Sequence, residues 1–261
     1  WRKAFFIVGL PGVIMALLVK FTIKEPPRGL SDNIAQKVEN LPFMDTVRYL
    51  FSLKSFRHLC AATSIAAFSG YAIMSWSPVF LKRVFEMDKS QSGPILGIAI
   101  GIVGGLSTLI GGLLSDKLST KKSRKWAMYV SAIGVLGMIP FILVFLLTTN
   151  KTLALVGFNL MFLVGLFYSA PSFATVQGLA RPDMRALASA IFLLLINLIG
   201  TGCGPWFAGI ISTLLEPTYG STESLRYSLI IISAGILWSA VHYILAARTL
   251  PEDLDKAVTT D

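Results

Sequence analysis

The stretch GPILGIAIGIVGGLSTLIGGLLSDKLSTKKSRK, residues 93–125, decides the fold class of this chain. Gly97, Gly101 and Gly105 recur at every fourth residue, so a helix places them on one face and leaves that face without side chains. A bare helix face lets a second helix approach closely, as helices do within lipid. The stretch ends in Asp116 and a cluster of lysine and arginine residues, which is typical of the cytoplasmic end of a membrane-spanning helix.

The composition of the whole chain favours the same class. Of 261 residues, 54% are apolar and 14% are charged, and the mean hydropathy is +0.69. A soluble domain carries about 25% charged residues, so this chain lacks the polar surface that water requires. The net charge of +9 comes from bases that flank apolar spans. We therefore expect membrane lipids, and not nucleic acid, as its partner.

Neither catalysis nor metal binding is indicated by the residues that usually carry such chemistry. Cys60 and Cys203, the two cysteines, lie inside apolar segments, and two histidines are too few for a zinc cluster. His242 lies in an apolar span without an acidic partner, and His58 lies at a helix start, so both are interpreted as ordinary helix residues. We predict a protein that is not an enzyme and binds no metal or cofactor.

Seven apolar segments are long enough to cross a bilayer, which takes roughly 20 residues. They run near 4–23, 58–81, 94–114, 126–148, 152–180, 186–215 and 225–247. The intervening segments 24–57, 115–125 and 181–185, with the C-terminal tail and Lys20, hold sixteen of the 23 lysine and arginine residues. The positive-inside rule makes that side the cytoplasm. The C-terminus is therefore predicted inside and the N-terminus outside.

Between the first two spans, the polar segment 29–41 reads as a linker. After Pro42, residues Phe43, Val47 and Leu50 share one helical face, which predicts a short amphipathic helix. Two placements fit this pattern equally well. The helix lies along the membrane surface, or it packs as a soluble helix on the cytoplasmic loops.

Polar and aromatic side chains form stripes on three of the seven spans, and these are candidates for lining a water-filled path. The members are Ser64, Phe68, Tyr71 and Ser75 on the second span, Asn159, Tyr168, Ser169 and Ser172 on the fifth, and Asn197 on the sixth. The alternative for each is a structural role, because serine can bond to its own backbone and asparagine can bridge two helices. On the sixth span, the glycines that precede Pro205 predict a point where the helix bends.

The residues Gly112-Leu-Leu-Ser-Asp-Lys-Leu-Ser-Thr-Lys-Lys122 resemble the cytoplasmic G-x-L-x-D-R-x-G-R-R signature of the major facilitator superfamily, with Ser119 in place of the second glycine. The resemblance implies an all-α membrane fold in which the seven spans are helices 6 to 12 of twelve. Residues 1–24 would be helix 6 of the N-terminal half, 25–57 the cytoplasmic linker between the halves with its amphipathic helix, and 58–261 the C-terminal six-helix half with a short tail. The motifs at Trp1-Arg-Lys-Ala-Phe5 and Glu25-Pro-Pro-Arg-Gly29 look like the spinster-like branch, the relatives of sphingolipid transporters.

This resemblance implies transport by alternating access, with the N-terminal six-helix half of the same protein as partner. Superfamily helices 7 and 10 would line the cavity, helices 8 and 11 would meet the opposite half, and helices 9 and 12 would face lipid. The implied gating and interface residues are Gly97, Gly101, Gly105, Gly112, Asp116, Lys117, Gly200, Gly204 and Pro205.

The implied cargo is an amphipathic or lipid-like small molecule, of the lysophospholipid or sphingolipid class. No Asp, Glu, Lys or Arg lies near the middle of any span, so proton coupling would depend on residues outside this chain. The alternatives are a symporter of small organic anions and a receptor or scaffold that kept the fold and lost transport. The expected location is an integral, multi-pass position, in the inner membrane if the source is bacterial. A chain that begins with Trp1 is expected to be part of a longer protein.

Overall fold

The computed structural model describes residues 2–23 and 42–259, and these ranges are helical with short connections and no strand. The chain forms two compact units, Trp1–Glu39 and Asn40–Asp261. The predicted linker 29–41, the motif at 25–29 and Trp1 lie outside the described residues. The predicted all-α membrane fold is confirmed.

The first unit contains helix α1, Arg2–Thr22. It covers the first predicted span, and the mean hydropathy of its segment Phe5–Thr22 is 2.1. The helix continues through Pro11, which membrane helices tolerate better than soluble ones do.

Over residues 42–259, the second unit is built from ten further α-helices. They are α2 (Phe43–Ser52), α3 (Lys54–Phe85), α4 (Lys89–Ile98), α5 (Gly104–Lys121), α6 (Trp126–Leu147), α7 (Lys151–Gly165), α8 (Ser169–Leu179), α9 (Arg185–Leu195), α10 (Gly204–Ser233) and α11 (Gly235–Thr259). Three pairs of these are joined without a loop. A π-helical turn at Ala99–Val103 joins α4 to α5, a 3₁₀ turn at Leu166–Tyr168 joins α7 to α8, and a π-helix at Ile196–Cys203 joins α9 to α10.

Six helical segments of the described residues are long and apolar enough to cross a membrane. The last, Pro182–Lys256, is 75 residues long, far more than one crossing needs. It is broken at Gly220, whose φ of 73° and ψ of 169° are not helical. Glycine adopts such a φ without the steric cost that other residues carry. The break divides the segment into two crossings, in agreement with the predicted sixth and seventh spans.

Helix α5 extends further than predicted. The segment 115–125 was predicted to be a loop, whereas α5 continues to Lys121. Leucine and lysine are good helix formers, so the helix does not end where its apolar part ends. Asp116 and Lys117 therefore lie within α5 and not after it.

The close packing of α5 uses a different face from the one that the glycine spacing suggested. Gly104, Ser107, Gly111 and Ser115 are its buried residues. A Cβ built on Gly111 would lie 2.5 Å from both the Cα and the carbonyl oxygen of Phe167. By contrast, nothing lies within 4 Å of a Cβ built on Gly97, Gly101 or Gly105.

Helix α6, which the resemblance implies is superfamily helix 9, is not exposed on every side. Half of its most apolar window is buried, and Gly134 is buried with it. A Cβ on Gly134 would lie 2.6 Å from the Cβ of Phe167. The expectation that this helix faces lipid is wrong for the face that packs on the 3₁₀ turn, while Ile133 on another face is exposed.

Helices α3 and α11 run antiparallel and are joined by side-chain hydrogen bonds along their contact. The Ser239 hydroxyl donates to the Ala62 carbonyl at 2.7 Å, and the hydroxyls of Thr63 and Tyr243 are 2.9 Å apart. A similar bond of 2.8 Å runs from the Ser69 hydroxyl to the carbonyl of Ile232, near the end of α10. Tyr243 is fully buried, so α11, which the resemblance implies is superfamily helix 12, has a buried face as well as an exposed one.

The amphipathic helix α2 forms where Phe43, Val47 and Leu50 predicted it. Thr46 and Leu50 are buried, whereas Phe43, at the start of the helix on the Leu50 side, and Met44, on the opposite side, are exposed. The Tyr49 hydroxyl donates to the carbonyl of Leu179 at 3.4 Å. Helix α2 therefore packs on the bundle by one face and presents apolar side chains on another.

Candidate functional site

A cavity of about 430 Å³ lies inside the second unit. Helix α3 lines one wall, and α7, the 3₁₀ turn and α8 line the facing wall, with smaller contributions from α6, α9 and both π-helical segments. The lining residues are Thr63, Ala66, Ala67, Gly70, Tyr71, Met74, Ile100, Met138, Met161, Phe162, Gly165, Leu166, Tyr168, Ser169, Phe173, Leu193, Ile196 and Asn197.

The α3 wall follows from helical spacing. Thr63, Ala67, Gly70 and Met74 are separated by three or four residues and share a face. Ala67 and Gly70 are small, and nothing lies within 4 Å of a Cβ built on Gly70. Small side chains on this face leave the space that the cavity occupies.

The facing wall depends on the irregular turn between α7 and α8. The helix tightens to 3₁₀ geometry over Leu166–Tyr168, directly after Gly165. A Cβ on Gly165 would lie 3.2 Å from the sulfur of Met138 on α6, so α6 and α7 approach closely here. Short 3₁₀ stretches inside helices often mark hinges, and this one holds both Leu166 and Tyr168 on the cavity wall.

Both π-helical segments contribute to the cavity, through Ile100 on one and Ile196 and Asn197 on the other. π-Helical turns are rare and occur frequently at functional sites. The sequence predicted a bend at the glycines that precede Pro205. The π-helix Ile196–Cys203 begins earlier, four residues before Gly200.

The lining is chemically simple, because none of its residues is charged. Its polar groups are the hydroxyls of Thr63, Tyr71, Tyr168 and Ser169 and the amide of Asn197. The Asn197 amide nitrogen donates to the Leu193 carbonyl of its own helix at 2.8 Å. A largely apolar cavity with a few hydroxyls suits an uncharged or hydrocarbon part of a molecule.

Four of the predicted cavity residues line this space: Tyr71, Tyr168, Ser169 and Asn197. The other five, Ser64, Phe68, Ser75, Asn159 and Ser172, do not line it. Ser75 is exposed, and the Ser172 hydroxyl lies 3.1 Å from the hydroxyl of Tyr243. Asn159, like Asn197, donates to a carbonyl of its own helix, that of Leu155, at 2.8 Å. A structural role accounts for these contacts of Ser172 and Asn159.

Sequence reasoning missed Thr63, Gly70, Met138 and Ile100. The α3 stripe was predicted through Ser64 and Phe68, one position away from the face that the cavity uses. Gly70 carried a usable signal, since a glycine beside Tyr71 marks a gap in an otherwise packed helix. Met138 and Ile100 carried none, because apolar residues on apolar helices are indistinguishable from lipid-facing ones.

The candidate interface residues separate into two groups. Gly200 and Gly204 pack inside the unit, where a Cβ on Gly200 would lie 2.7 Å from the Cβ of Ala67 and one on Gly204 would collide with the Phe68 carbonyl oxygen. The Pro205 carbonyl accepts a hydrogen bond of 2.9 Å from the Trp76 indole, and a Cβ on Gly112 would lie 3.4 Å from that of Ala170. Gly97, Gly101 and Gly105 remain open.

Asp116 and Lys117 are exposed near the end of α5. Within residues 42–259, neither forms an ion pair, even though Lys121, Lys122 and Arg124 follow closely. Lys122 lies over the ring of Trp126, at 4.3 Å from its centroid. In the same described residues, no group of three or more His, Cys, Asp or Glu side chains is placed to hold a metal ion.

Comparisons with known proteins point to one family. A family profile described as Major Facilitator Superfamily matches residues 1–205. The chain is 29% identical over 259 residues to an "MFS-type efflux pump" of Mycolicibacterium smegmatis, covering 97% of this chain and 58% of that protein. It is 24% identical over 278 residues to "Sphingosine-1-phosphate transporter SPNS2" of Danio rerio, covering 98% and 55%.

Solved structures give a similar result. A bacterial homolog of the human lysosomal transporter Spinster, inward-facing and unoccupied, matches with a TM-score of 0.72 and 25% identity. The match covers 97% of this chain and 60% of that one. The chain thus spans about half the length of the relatives that it matches.

Proposed function

Because this chain belongs to the Major Facilitator Superfamily, in its spinster-like branch, we propose that the protein moves an amphipathic, lipid-like solute across a membrane by alternating access. The solute would be of the lysophospholipid or sphingolipid class. The single observation that carries this proposal is the uncharged cavity between α3 and the α7–α8 turn.

The volume and lining of the cavity support a hydrocarbon cargo. Its 430 Å³ falls within the range of about 300–1,000 Å³ typical of small-molecule sites. Burying apolar surface there is favourable by about 25 cal/mol per Å², and the hydroxyls of Tyr71, Tyr168 and Ser169 provide a few polar contacts. A charged headgroup finds no counter-ion in this lining, so the N-terminal half would have to supply one. The same half would carry proton coupling.

The open glycine face supports contact with that N-terminal half. Gly97, Gly101 and Gly105 have no neighbour within 4 Å of a Cβ, while the glycines at 104 and 111 are used inside the unit. In this arrangement Asp116 and Lys117 meet the other half at the cytoplasmic end. Residues 24–57 connect the halves, and the C-terminus is cytoplasmic.

A transport assay with the full-length protein tests the proposed cargo. The protein is reconstituted in proteoliposomes with a proton gradient, and uptake of a fluorescent single-chain lysophospholipid is measured. Gly70→Phe fills the cavity, so we expect it to lower lysophospholipid uptake by about tenfold, which corresponds to about 1.4 kcal/mol. Tyr71→Phe keeps the volume and removes one hydroxyl, and should cost less.

Two further cargoes in the same assay separate the alternatives. A neutral drug-like solute is the second candidate, because the cavity lining carries no charged residue, and a small organic carboxylate represents anion symport. Uptake of the carboxylate alone would contradict the lipid proposal. Absence of saturable uptake for all three would instead favour a receptor or scaffold.

A further inference from the structure

The two histidines of the chain contact each other. His58 on α3 and His242 on α11 are separated by 184 positions, yet their Nδ1 atoms lie 2.9 Å apart. Their ring centroids are 5.1 Å apart, and the Trp238 ring lies 5.5 Å from that of His242. Both histidines are half-buried. Neither lines the cavity.

The contact between His58 and His242 is one of several side-chain hydrogen bonds that connect α3 to the α10–α11 segment. The neighbouring hydrogen bonds are formed by hydroxyls and carbonyls and involve Ser69, Ser239 and Thr63. Those groups do not change charge near neutral pH. Imidazole does, because its unperturbed pKa is about 6.5.

The geometry of the His58–His242 hydrogen bond limits how many protons the two rings can hold. In a hydrogen bond between two Nδ1 atoms, one ring donates its N–H and the other accepts with a bare nitrogen, so the neutral pair contains one Nδ1–H and one Nε2–H tautomer. One added proton converts the donor ring to imidazolium and makes the bond charge-assisted, which strengthens it. A second proton leaves no acceptor and places two cations side by side.

The surroundings do not neutralise such a second charge. On α3 the charged group that acts on the pair is Arg57, adjacent to His58 and of the same sign. On α11 the neighbouring ring is Trp238, which does not titrate. Within residues 42–259 no carboxylate forms an ion pair with either histidine.

We propose that His58 and His242 form a proton-binding site that accepts one proton while keeping their hydrogen bond and is disrupted by a second. Acidification that adds the second proton then breaks the His58–His242 hydrogen bond and loosens the contact between α3 and α11. Because α3 also forms a wall of the cavity, the site links pH to the helix that would contact the cargo. The proton site itself does not depend on which cargo the protein moves.

Nitrogen NMR of the full-length protein, labelled with ¹⁵N-histidine in nanodiscs, tests the site. At high pH we expect one Nδ1–H tautomer and a through-bond ¹⁵N–¹⁵N coupling between the two Nδ1 atoms, which the wild type alone can provide. The pair should titrate in two steps more than one pH unit apart. In His58→Gln or His242→Gln, the remaining ring should titrate in one step. Independent titration of both rings, unchanged when the partner is replaced, would overturn the proposal.

Melting temperature provides a second readout. Between pH 8 and pH 5 we expect the wild type to lose about 2–4 °C more than the His58→Gln/His242→Gln double variant, the scale of one lost interaction in a protein of this size. Ser239→Ala is the matched control, because it removes a neighbouring hydrogen bond whose groups do not titrate. It should lower the melting temperature equally at both pH values. An equal loss in the wild type and the double variant contradicts the proton site.

Discussion

Asp253 joins the end of the chain to the start of α3. Its carboxylate accepts hydrogen bonds of 2.8 Å from both the backbone N–H and the hydroxyl of Ser55, 198 positions away. The first N–H groups of a helix have no partner within the helix, and α3 has no side-chain cap from Leu53 before it. Burial alone would raise the pKa of Asp253, but the bonds from Ser55, with a smaller effect of Lys256, outweigh it and lower that pKa.

Replacing this carboxylate should destabilise the protein. Asp253→Ala leaves the N–H and hydroxyl of Ser55 without their acceptor, and hydrogen bonds to a charged group are worth about 1.5–3 kcal/mol. We expect a lower melting temperature for the full-length variant in nanodiscs. Glu252→Ala, an exposed carboxylate one residue earlier, is the control and should have little effect. Equal melting of the two variants would show that the contact contributes nothing.

The same carboxylate predicts a pH dependence. Because the folded-state pKa of Asp253 is lower than its unfolded value of about 3.9, its contribution is present in full above the unfolded pKa. The contribution is lost as the pH falls through the folded pKa. The difference in melting temperature between wild type and Asp253→Ala should stay constant from pH 7 to about pH 5 and shrink below about pH 4. A difference that grows on acidification would be contrary to this sign.

At the scale of elements, helix α6 shows that glycines on one helix can have opposite roles. A Cβ on Gly134 would lie 2.6 Å from the Cβ of Phe167 and 3.0 Å from the carbonyl oxygen of Val164. One on Gly137 would be in ordinary contact, 3.7 Å from a methyl of Val164. The 3₁₀ turn that carries Tyr168 into the cavity wall thus depends on the absence of a side chain at position 134.

Alanine substitutions separate these two roles. Alanine gains about 1 kcal/mol of helix propensity over glycine at either position. At Gly134 the methyl must displace Phe167, and overpacking typically costs about 1–3 kcal/mol. We therefore expect Gly134→Ala to melt at a lower temperature than Gly137→Ala, which should match or exceed the wild type. The reverse order would mean that the turn can move away without cost.

At the scale of the whole molecule, the open face of Gly101 provides a test of the proposed contact between halves. Gly101→Leu adds four carbons where nothing of this unit lies within 4 Å. If the N-terminal half meets this face in one access state, a cost of about 1.4 kcal/mol shifts the population of that state about tenfold. Inter-half distances measured between spin labels should change, and Gly101→Ala should change them less. Unchanged distances with normal transport would assign the face to lipid.

The class of this protein followed from its sequence alone. Hydropathy, the spacing of spans and the basic clusters are local properties, and a bilayer imposes the same length and polarity on every crossing. For the same reason the amphipathic helix at Phe43–Ser52 could be predicted from its own residues.

Only the tertiary structure decided which face of each helix matters. On α3 the predicted stripe and the cavity face differ by one residue, because the rotation of α3 is fixed by close contacts such as Ala67 with Gly200 and Phe68 with Gly204. The pairs His58–His242 and Ser55–Asp253 join residues 184 and 198 positions apart. A periodic pattern describes one helix at a time, so it carries no information about which distant side chain will complete a hydrogen bond.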